Sequence, residues 1–339
     1  MSDAARVAVV GAGSWGTAVA ALVSNNADTV LWARRPELAS AITERHENPD
    51  YLPGITLPAE LRVTSDIEDA CASADVLVLG VPSHGMRAVL TGAARFVRPA
   101  VPVVSLAKGV EQGTLRRMTE VIGEVLPTHL PDRIGVLTGP NLAREIAAGQ
   151  PAASVVAMRD EDTAHQLQRL TMTATFRVYT NPDVVGCEIA GALKNVMAIA
   201  AGIADGLGYG DNTKAALLTR GLAELTRLGI ALGGNPLTFS GLAGMGDLVA
   251  TCTSTQSRNR TVGVELGKGR KVEDVVAEMN MVAEGVKSTA AVLALAERHR
   301  VEMPIAEQVG AVLYEGKRAE DLVTALMLRE AKAELHGIT

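Results

Sequence analysis

In the stretch GALKNVMAIAAG (191–202), Lys194 and Asn195 interrupt an otherwise apolar run with helical spacing. An ammonium among aliphatic side chains loses hydration unless it is paired, and a lysine so placed becomes an acid/base near neutral pH. A lysine snorkelling from the edge of a helix would show the same spacing. Three further stretches hold residues that could act with it. SLAKGV (105–110) sets Lys108 just beyond the C-terminal end of an apolar strand, where open α/β sheets bind ligands. LTGPNLA (137–143) also follows a strand and turns at Gly139-Pro140. GLAGMGDLVATCTSTQSRNR (241–260) joins a glycine-rich segment to Asp247 and to the polar run Ser257-Arg258-Asn259-Arg260. Taken singly, Asp247 reads as an N-cap for LVATC and the SRNR run as a solvated loop.

A different chemistry is written near the N-terminus. VVGAGSWG places Gly11, Gly13 and Gly16 in G-x-G-x-x-G spacing. Gly11 permits a tight turn out of a strand, Gly13 lets the backbone approach a pyrophosphate, and Gly16 lets the following helix pack close to the sheet. The helix N-terminus then faces the anion. The motif follows one strand, opens a helix and precedes a second strand, the context a dinucleotide site requires. That second strand leads into VLWARR (30–35), where an NAD site would carry an acid for the adenosine ribose. Arg34 and Arg35 stand there instead. Two guanidiniums favour a 2′-phosphate through charge-assisted, often bidentate, bonds, so NADP is expected in preference, with NAD possible. A solvated pair beside Pro36 at the start of the next helix is the plainer alternative. Asp28, the nearest acid, precedes the strand.

These residues need a frame to hold them. Short β-branched runs at 6–10, 29–33, 61–64, 76–80, 101–106, 134–138 and 152–157 alternate with helical patterns at 14–25, 36–46, 83–95 and 113–125. Such alternation predicts crossover connections and a doubly wound, Rossmann-type parallel sheet with helices on both faces. Past about Asn181 the strand-like runs stop. Helical patterns follow at 183–205, 211–233, 258–268, 272–279, 287–299, 304–315 and 319–328. The expected organisation is an α/β dinucleotide-binding domain over 1–181 and an all-helical substrate domain over 182–339, meeting near Pro182.

Composition narrows the classes. The chain has 339 residues, enough for two cores, and a net charge of −6 without long runs of one sign, which gives nucleic-acid binding little electrostatic support. Cys71, Cys187 and Cys252 are far apart and form no CxxC pair, so neither a metal site nor a disulfide framework is expected. MSDAARVAVVG enters a strand at once and leaves no room for a signal peptide. The apolar stretch 187–204 contains Glu188, Lys194 and Asn195 and reads as a buried helix, not a membrane span. A reducing cytoplasm is expected, and ELHGIT at the C-terminus reads as frayed.

Together, GAGSWGTA, NPDYLPGITLP, SLAKGVE, TGPNLA, GALKNVMAI, GLAGMGDLVATCTS, SRNR and VAEGVKS resemble the bacterial-type NAD(P)-dependent sn-glycerol-3-phosphate dehydrogenases over nearly the full length. The resemblance implies reversible reduction of dihydroxyacetone phosphate to glycerol 3-phosphate, supply of phospholipid synthesis, and a homodimer. It implies Lys194 as proton donor and acceptor. For the cofactor it implies Ser14, Trp15, Arg34, Arg35, Tyr51, Lys108, Ala143, Arg258, Val282 and Glu284 beside the three glycines. For the substrate it implies Lys108, Gly139, Asn141, Lys194, Asp247, Ser257, Arg258 and Asn259. Asn141 stands where many relatives have Ser or Thr, and Met245 where Leu is common; an amide can still donate a hydrogen bond. β-Hydroxyacid and 6-phosphogluconate-type dehydrogenases share a helical lysine followed by Asn, but GLAGMGDL and SRNR speak against them. A silent NADPH sensor would need no acid/base lysine.

Overall fold

Strands that are apolar throughout, such as VLVL at 76–79, can rest only between two helical layers, and that is their setting in the computed structural model, which describes residues 5–279 and 283–334. Contacts divide the chain into two units. The first comprises residues 1–107 and 118–184, the second 108–117 and 185–339. The ten residues Lys108–Arg117 thus leave the sheet and belong with the helices.

The first unit runs β1 (Arg6–Val10), α1 (Ser14–Val23), β2 (Asp28–Trp32), α2 (Pro36–Arg45), β3 (Arg62–Thr64), α3 (Ile67–Cys71), β4 (Val76–Leu79), α4 (Met86–Ala93), β5 (Val103–Ser105), α5 (Met118–Val125), β6 (Ile134–Thr138), α6 (Ala143–Ala147), β7 (Ala152–Ala157), α7 (Glu161–Thr171) and β8 (Phe176–Asn181). The sheet order is β3-β2-β1-β4-β5-β6-β7-β8. The first six strands are parallel, β7 is antiparallel to β6, and β8 is parallel to β7. Strand order reverses between β1 and β4, the switch point at which such sheets bind ligands. Val9 sits there between Leu31 and Val78. β8 was not expected from the sequence. Only Phe176 and Val178 of FRVYTN are buried, the alternation of an edge strand exposed on one face. The helix expected over 113–125 begins only at Met118, because 113–117 lie in the segment held by the second unit.

The second unit is helical apart from the isolated bridge between Val110 and Arg117. Its helices are α8 (Val184–Gly206), α9 (Asp211–Ala231), α10 (Pro236–Phe239), α11 (Asp247–Thr253), α12 (Arg258–Gly267), α13 (Val272–Ala277), α14 (Glu284–His299), α15 (Pro304–Tyr314) and α16 (Ala319–Met327). A π-helical turn, Leu242–Gly246, leads into α11. α8 is long and apolar enough to cross a membrane, but 89% of its most apolar window is buried inside the protein. It is the axis of this core, with Leu193, Val196, Met197 and Ile199 wholly enclosed. α12 lies against α8 backbone to backbone. A Cβ on Gly202 would overlap the Arg260 carbonyl, and one on Gly263 the Ile199 carbonyl. Gly206 and Gly267 repeat the relation one turn further along both helices. Residue numbers rise together along the contact, so the two helices run parallel.

Candidate functional site

In the first unit, the glycine turn is shaped for close approach. Gly11 has φ +118°, and its N–H donates to the Trp32 carbonyl at 3.0 Å. The Gly16 and Gly80 backbones close on it from α1 and from the end of β4, leaving no room for side chains. Gly80 was read in the sequence only as the last residue of a strand. Gly13 differs. A Cβ there would meet nothing within 4 Å, so the space over the start of α1 is open. No side chain caps α1 and no acid lies in its first turn, which leaves its positive end available to an anion. Asn48, missed in the sequence, is fully buried and ties this turn to the NPDYLP loop. Its amide donates to the Ala12 carbonyl at 2.9 Å and to the Thr17 hydroxyl at 2.8 Å. Ser14 donates to the Tyr51 carbonyl at 2.8 Å, and the half-buried Tyr51 ring packs on the same core cluster as Trp15. Arg34 is exposed beyond β2, and Arg35 pairs with Asp50.

The TGPNLA turn follows β6. Gly139 has φ +135°, and Ala143 opens α6, which packs against α1. Both amide atoms of Asn141 and the indole N–H of Trp15 are buried without a protein partner among the described residues. Unspent polar atoms, an uncapped helix start and open space over Gly13 are what a dinucleotide and a polar substrate would use; the residues fit that group.

In the second unit, residues of three separate stretches converge. Lys194 is 7% exposed; its ammonium donates to Asp247 Oδ1 at 2.5 Å and to Thr251 Oγ1 at 2.6 Å. Lys108 donates to Asp247 Oδ2 at 2.6 Å. One carboxylate, 1% exposed, thus serves two lysines. Asp247 does not cap α11 with its side chain, and Lys194 does not snorkel to the surface. Thr251, one turn after Asp247, also donates to Oδ1 at 3.3 Å and fixes the rotamer of the carboxylate. The sequence showed this residue only as part of an apolar helix. Burial draws the Lys108 pKa down to about 7; Asp247 opposes that fall and the neighbouring Lys194 charge adds to it. The segment carrying Lys108 is anchored to the helices by Asn195 Nδ2 on its carbonyl at 3.1 Å, by Gln112 on the Lys287 carbonyl at 2.7 Å, and by Arg117 on Glu188 at 2.6 Å.

At the start of α12 the roles divide. Ser257 is buried and its hydroxyl caps the helix by accepting from Arg260 N at 3.3 Å. Arg258 is exposed. Asn259 is buried and engaged at both amide atoms, accepting from Gly285 N and donating to Asn195 Oδ1, each at 2.9 Å. Glu284 opens α14 beside it. Val282 lies outside the described residues. Among the described residues no group of three or more His, Cys, Asp or Glu could hold a metal ion, and all three cysteines are buried and free.

Comparison with known proteins gives this arrangement a family. Residues 6–164 match the family described as NAD-dependent glycerol-3-phosphate dehydrogenase N-terminus, and residues 183–324 its C-terminus. The chain is 57% identical to glycerol-3-phosphate dehydrogenase [NAD(P)+] 2 of Sphingopyxis alaskensis, covering 98% of each chain. It is 55% identical to glycerol-3-phosphate dehydrogenase [NAD(P)+] of Thermobifida fusca, covering 98% of this chain and 99% of the other. The crystal structure of glycerol-3-phosphate dehydrogenase from Coxiella burnetii superposes with a TM-score of 0.91 at 35% identity, covering 96% of this chain and 99% of that one. With both halves of the chain matched and relatives more than half identical along its length, the protein belongs to the NAD-dependent glycerol-3-phosphate dehydrogenase family.

Proposed function

We propose that the protein reduces dihydroxyacetone phosphate reversibly to sn-glycerol 3-phosphate with NAD(P)H, Lys194 giving and taking the proton. The observation that carries this reading is the pair of lysines, Lys194 buried and Lys108 mostly so, on one buried aspartate. The nicotinamide supplies the hydride when bound. Reduction of the ketone leaves negative charge developing on its oxygen. The Lys194 ammonium can stabilise that charge and surrender its proton to it, while the Lys108 ammonium adds field of the same sign. Asp247 and Thr251 hold Lys194 in one orientation, so little reorganisation is needed at the moment of transfer. In the oxidation direction the neutral amine of the same lysine takes the alcohol proton. Arg258 is the proposed clamp for the substrate phosphate, which carries roughly −1.5 to −2 charges at neutral pH. Asn259, with both amide atoms engaged, fits better as support for Arg258 and Asn195. Gly139 and Asn141 are proposed on the substrate side, with the unspent amide of Asn141 as the donor.

Arg34 and Arg35 support a preference for NADP over NAD. A cytoplasmic setting, a homodimer and supply of glycerophospholipid synthesis complete the proposal and rest on the family resemblance. The test is Lys194→Met, assayed in both directions by nicotinamide absorbance with NADPH affinity titrated by fluorescence alongside. Turnover is expected to fall by ~10²–10⁴, the worth of an acid/base group, with NADPH affinity nearly unchanged. Retention of more than about a tenth of the turnover would show that the proton comes from another group.

A further inference from the structure

The acid that an NAD site carries at the end of its second strand is absent here, yet a carboxylate reaches the same place from elsewhere. Asp50 lies in the 48–52 loop, which is fixed to the glycine turn at several points. Asn48 holds the Ala12 carbonyl and the Thr17 hydroxyl. Its Oδ1 accepts from Tyr51 N at 3.1 Å, and its carbonyl accepts from Leu52 N at 2.9 Å. Ser14 closes the loop from the other side through the Tyr51 carbonyl. Asp50 is therefore held on both sides by residues whose partners belong to the fingerprint itself. Its side chain pairs with Arg35, both partners being about half exposed (43% and 50%). Arg34 makes no hydrogen bond or ion pair with a protein group among the described residues.

We propose that Asp50 moderates the cofactor preference of this enzyme by competing with a 2′-phosphate for the Arg35 guanidinium. The proposal rests on the reading of Arg34 and Arg35 as ligands of that phosphate. An adenosine 2′-hydroxyl leaves the Arg35–Asp50 pair undisturbed. A 2′-phosphate must share Arg35 with Asp50 and also accept the carboxylate as a like-charged neighbour. Asp50 thus penalises NADP and not NAD, and it tempers the preference that two free arginines would impose. The pair is solvent-exposed, so its influence is small and falls as salt rises.

The test compares the parent, Asp50→Asn, Arg35→Ala and the double variant. Affinities for 2′,5′-ADP and 5′-ADP are measured by calorimetry, and kcat/KM for NADPH and NADH is measured beside them. Asp50→Asn keeps the size of the side chain and all the backbone bonds of the loop. It is expected to raise the preference for the 2′-phosphorylated ligand about two- to fivefold at low ionic strength, the span of an exposed ion pair. The rise should shrink in high salt and vanish in the Arg35→Ala background. An unchanged or lowered preference in Asp50→Asn, or an equal rise without Arg35, overturns the proposal while leaving the arginine reading intact. Arg35→Ala alone separates the two failures. If it leaves the preference unchanged, Arg35 does not read the phosphate, and the route through Asp50 is lost with it.

Discussion

At the scale of single residues, the site poses the question of which lysine responds to pH. Sequence reasoning put the acid/base role on Lys194 because of its apolar helix. The structure adds that Lys108, on a segment more than eighty residues earlier, shares the same carboxylate and is drawn down to about 7. On the proposed mechanism the cationic form of Lys108 supplies field for the developing alkoxide, and that form is lost as pH rises through about 7. The reduction rate of the parent is therefore expected to fall through that pH. Lys108→Arg keeps a cation at all accessible pH values, since a guanidinium hardly releases its proton. It should be slower, through altered geometry, but should lose the limb near 7. Rate profiles of both enzymes from about pH 6 to 9 check this. A limb at unchanged pH in Lys108→Arg would assign the titration to another group.

At the scale of elements, glycines do two unlike jobs, and substitution separates them. Gly13 has an ordinary φ of −72° and open space where a Cβ would lie. Gly13→Ala should melt like the parent yet bind NADPH poorly, because the methyl occupies the approach to α1. Gly263 is pressed against the Ile199 carbonyl of α8. Gly263→Ala must push α12 from α8 and should cost about 1–3 kcal/mol, as overpacking does. Turnover should fall with it, since Asn195 and Asn259 meet along the same helix pair. Urea melts and NADPH titrations on both variants check the contrast; a loss of stability in Gly13→Ala would show that the space over α1 is not free.

The same elements show what sequence could reveal. β1, β4 and β6 were legible because burial on both faces makes them almost wholly apolar, with only Arg6 of β1 and Gly135 and Thr138 of β6 departing from that. β8 was not, since an edge strand spends alternate positions on solvent. Lys194 and Asp247 could be singled out because charge in an apolar run is unusual. Asn48 and Thr251 could not, because a polar residue in a loop and a threonine in a helix are ordinary until their partners are known. The partners of Asn48 lie 36 and 31 positions away.

For the molecule as a whole, two groups of the helical unit make folding stability depend on pH in opposite senses. Glu224 of α9 is 1% exposed and accepts from Ile305 N at 2.7 Å and Ala306 N at 3.2 Å, at the first turn of α15. Burial pushes its pKa up from an ordinary 4.5 to about 7, against the pull of those two N–H groups. Between these values the folded protein holds a proton that the unfolded chain has released, so stability falls as pH rises through that window. Lys108 acts with the other sign. Its pKa drops from an ordinary 10.5 to about 7, so above 7 the unfolded chain keeps a proton that the folded site has lost, and stability rises with pH. Burial pushes the thiols of Cys71 and Cys252 up from 9.0 to about 11 and about 12, and they oppose that rise once pH passes their ordinary value. The Lys108 effect is therefore best read between about pH 7 and 9. Thermal midpoints across this range should show Glu224→Gln gaining on the parent from about pH 5 to 7, as the decline due to the carboxylate disappears. Lys108→Met should fall behind the parent from about pH 7 to 9, because it lacks the rise. Profiles of Glu224→Gln and parent that ran parallel below pH 7 would mean that the Glu224 carboxyl ionises as readily in the fold as in the open chain, and that the start of α15 is held by a charge that costs nothing to bury.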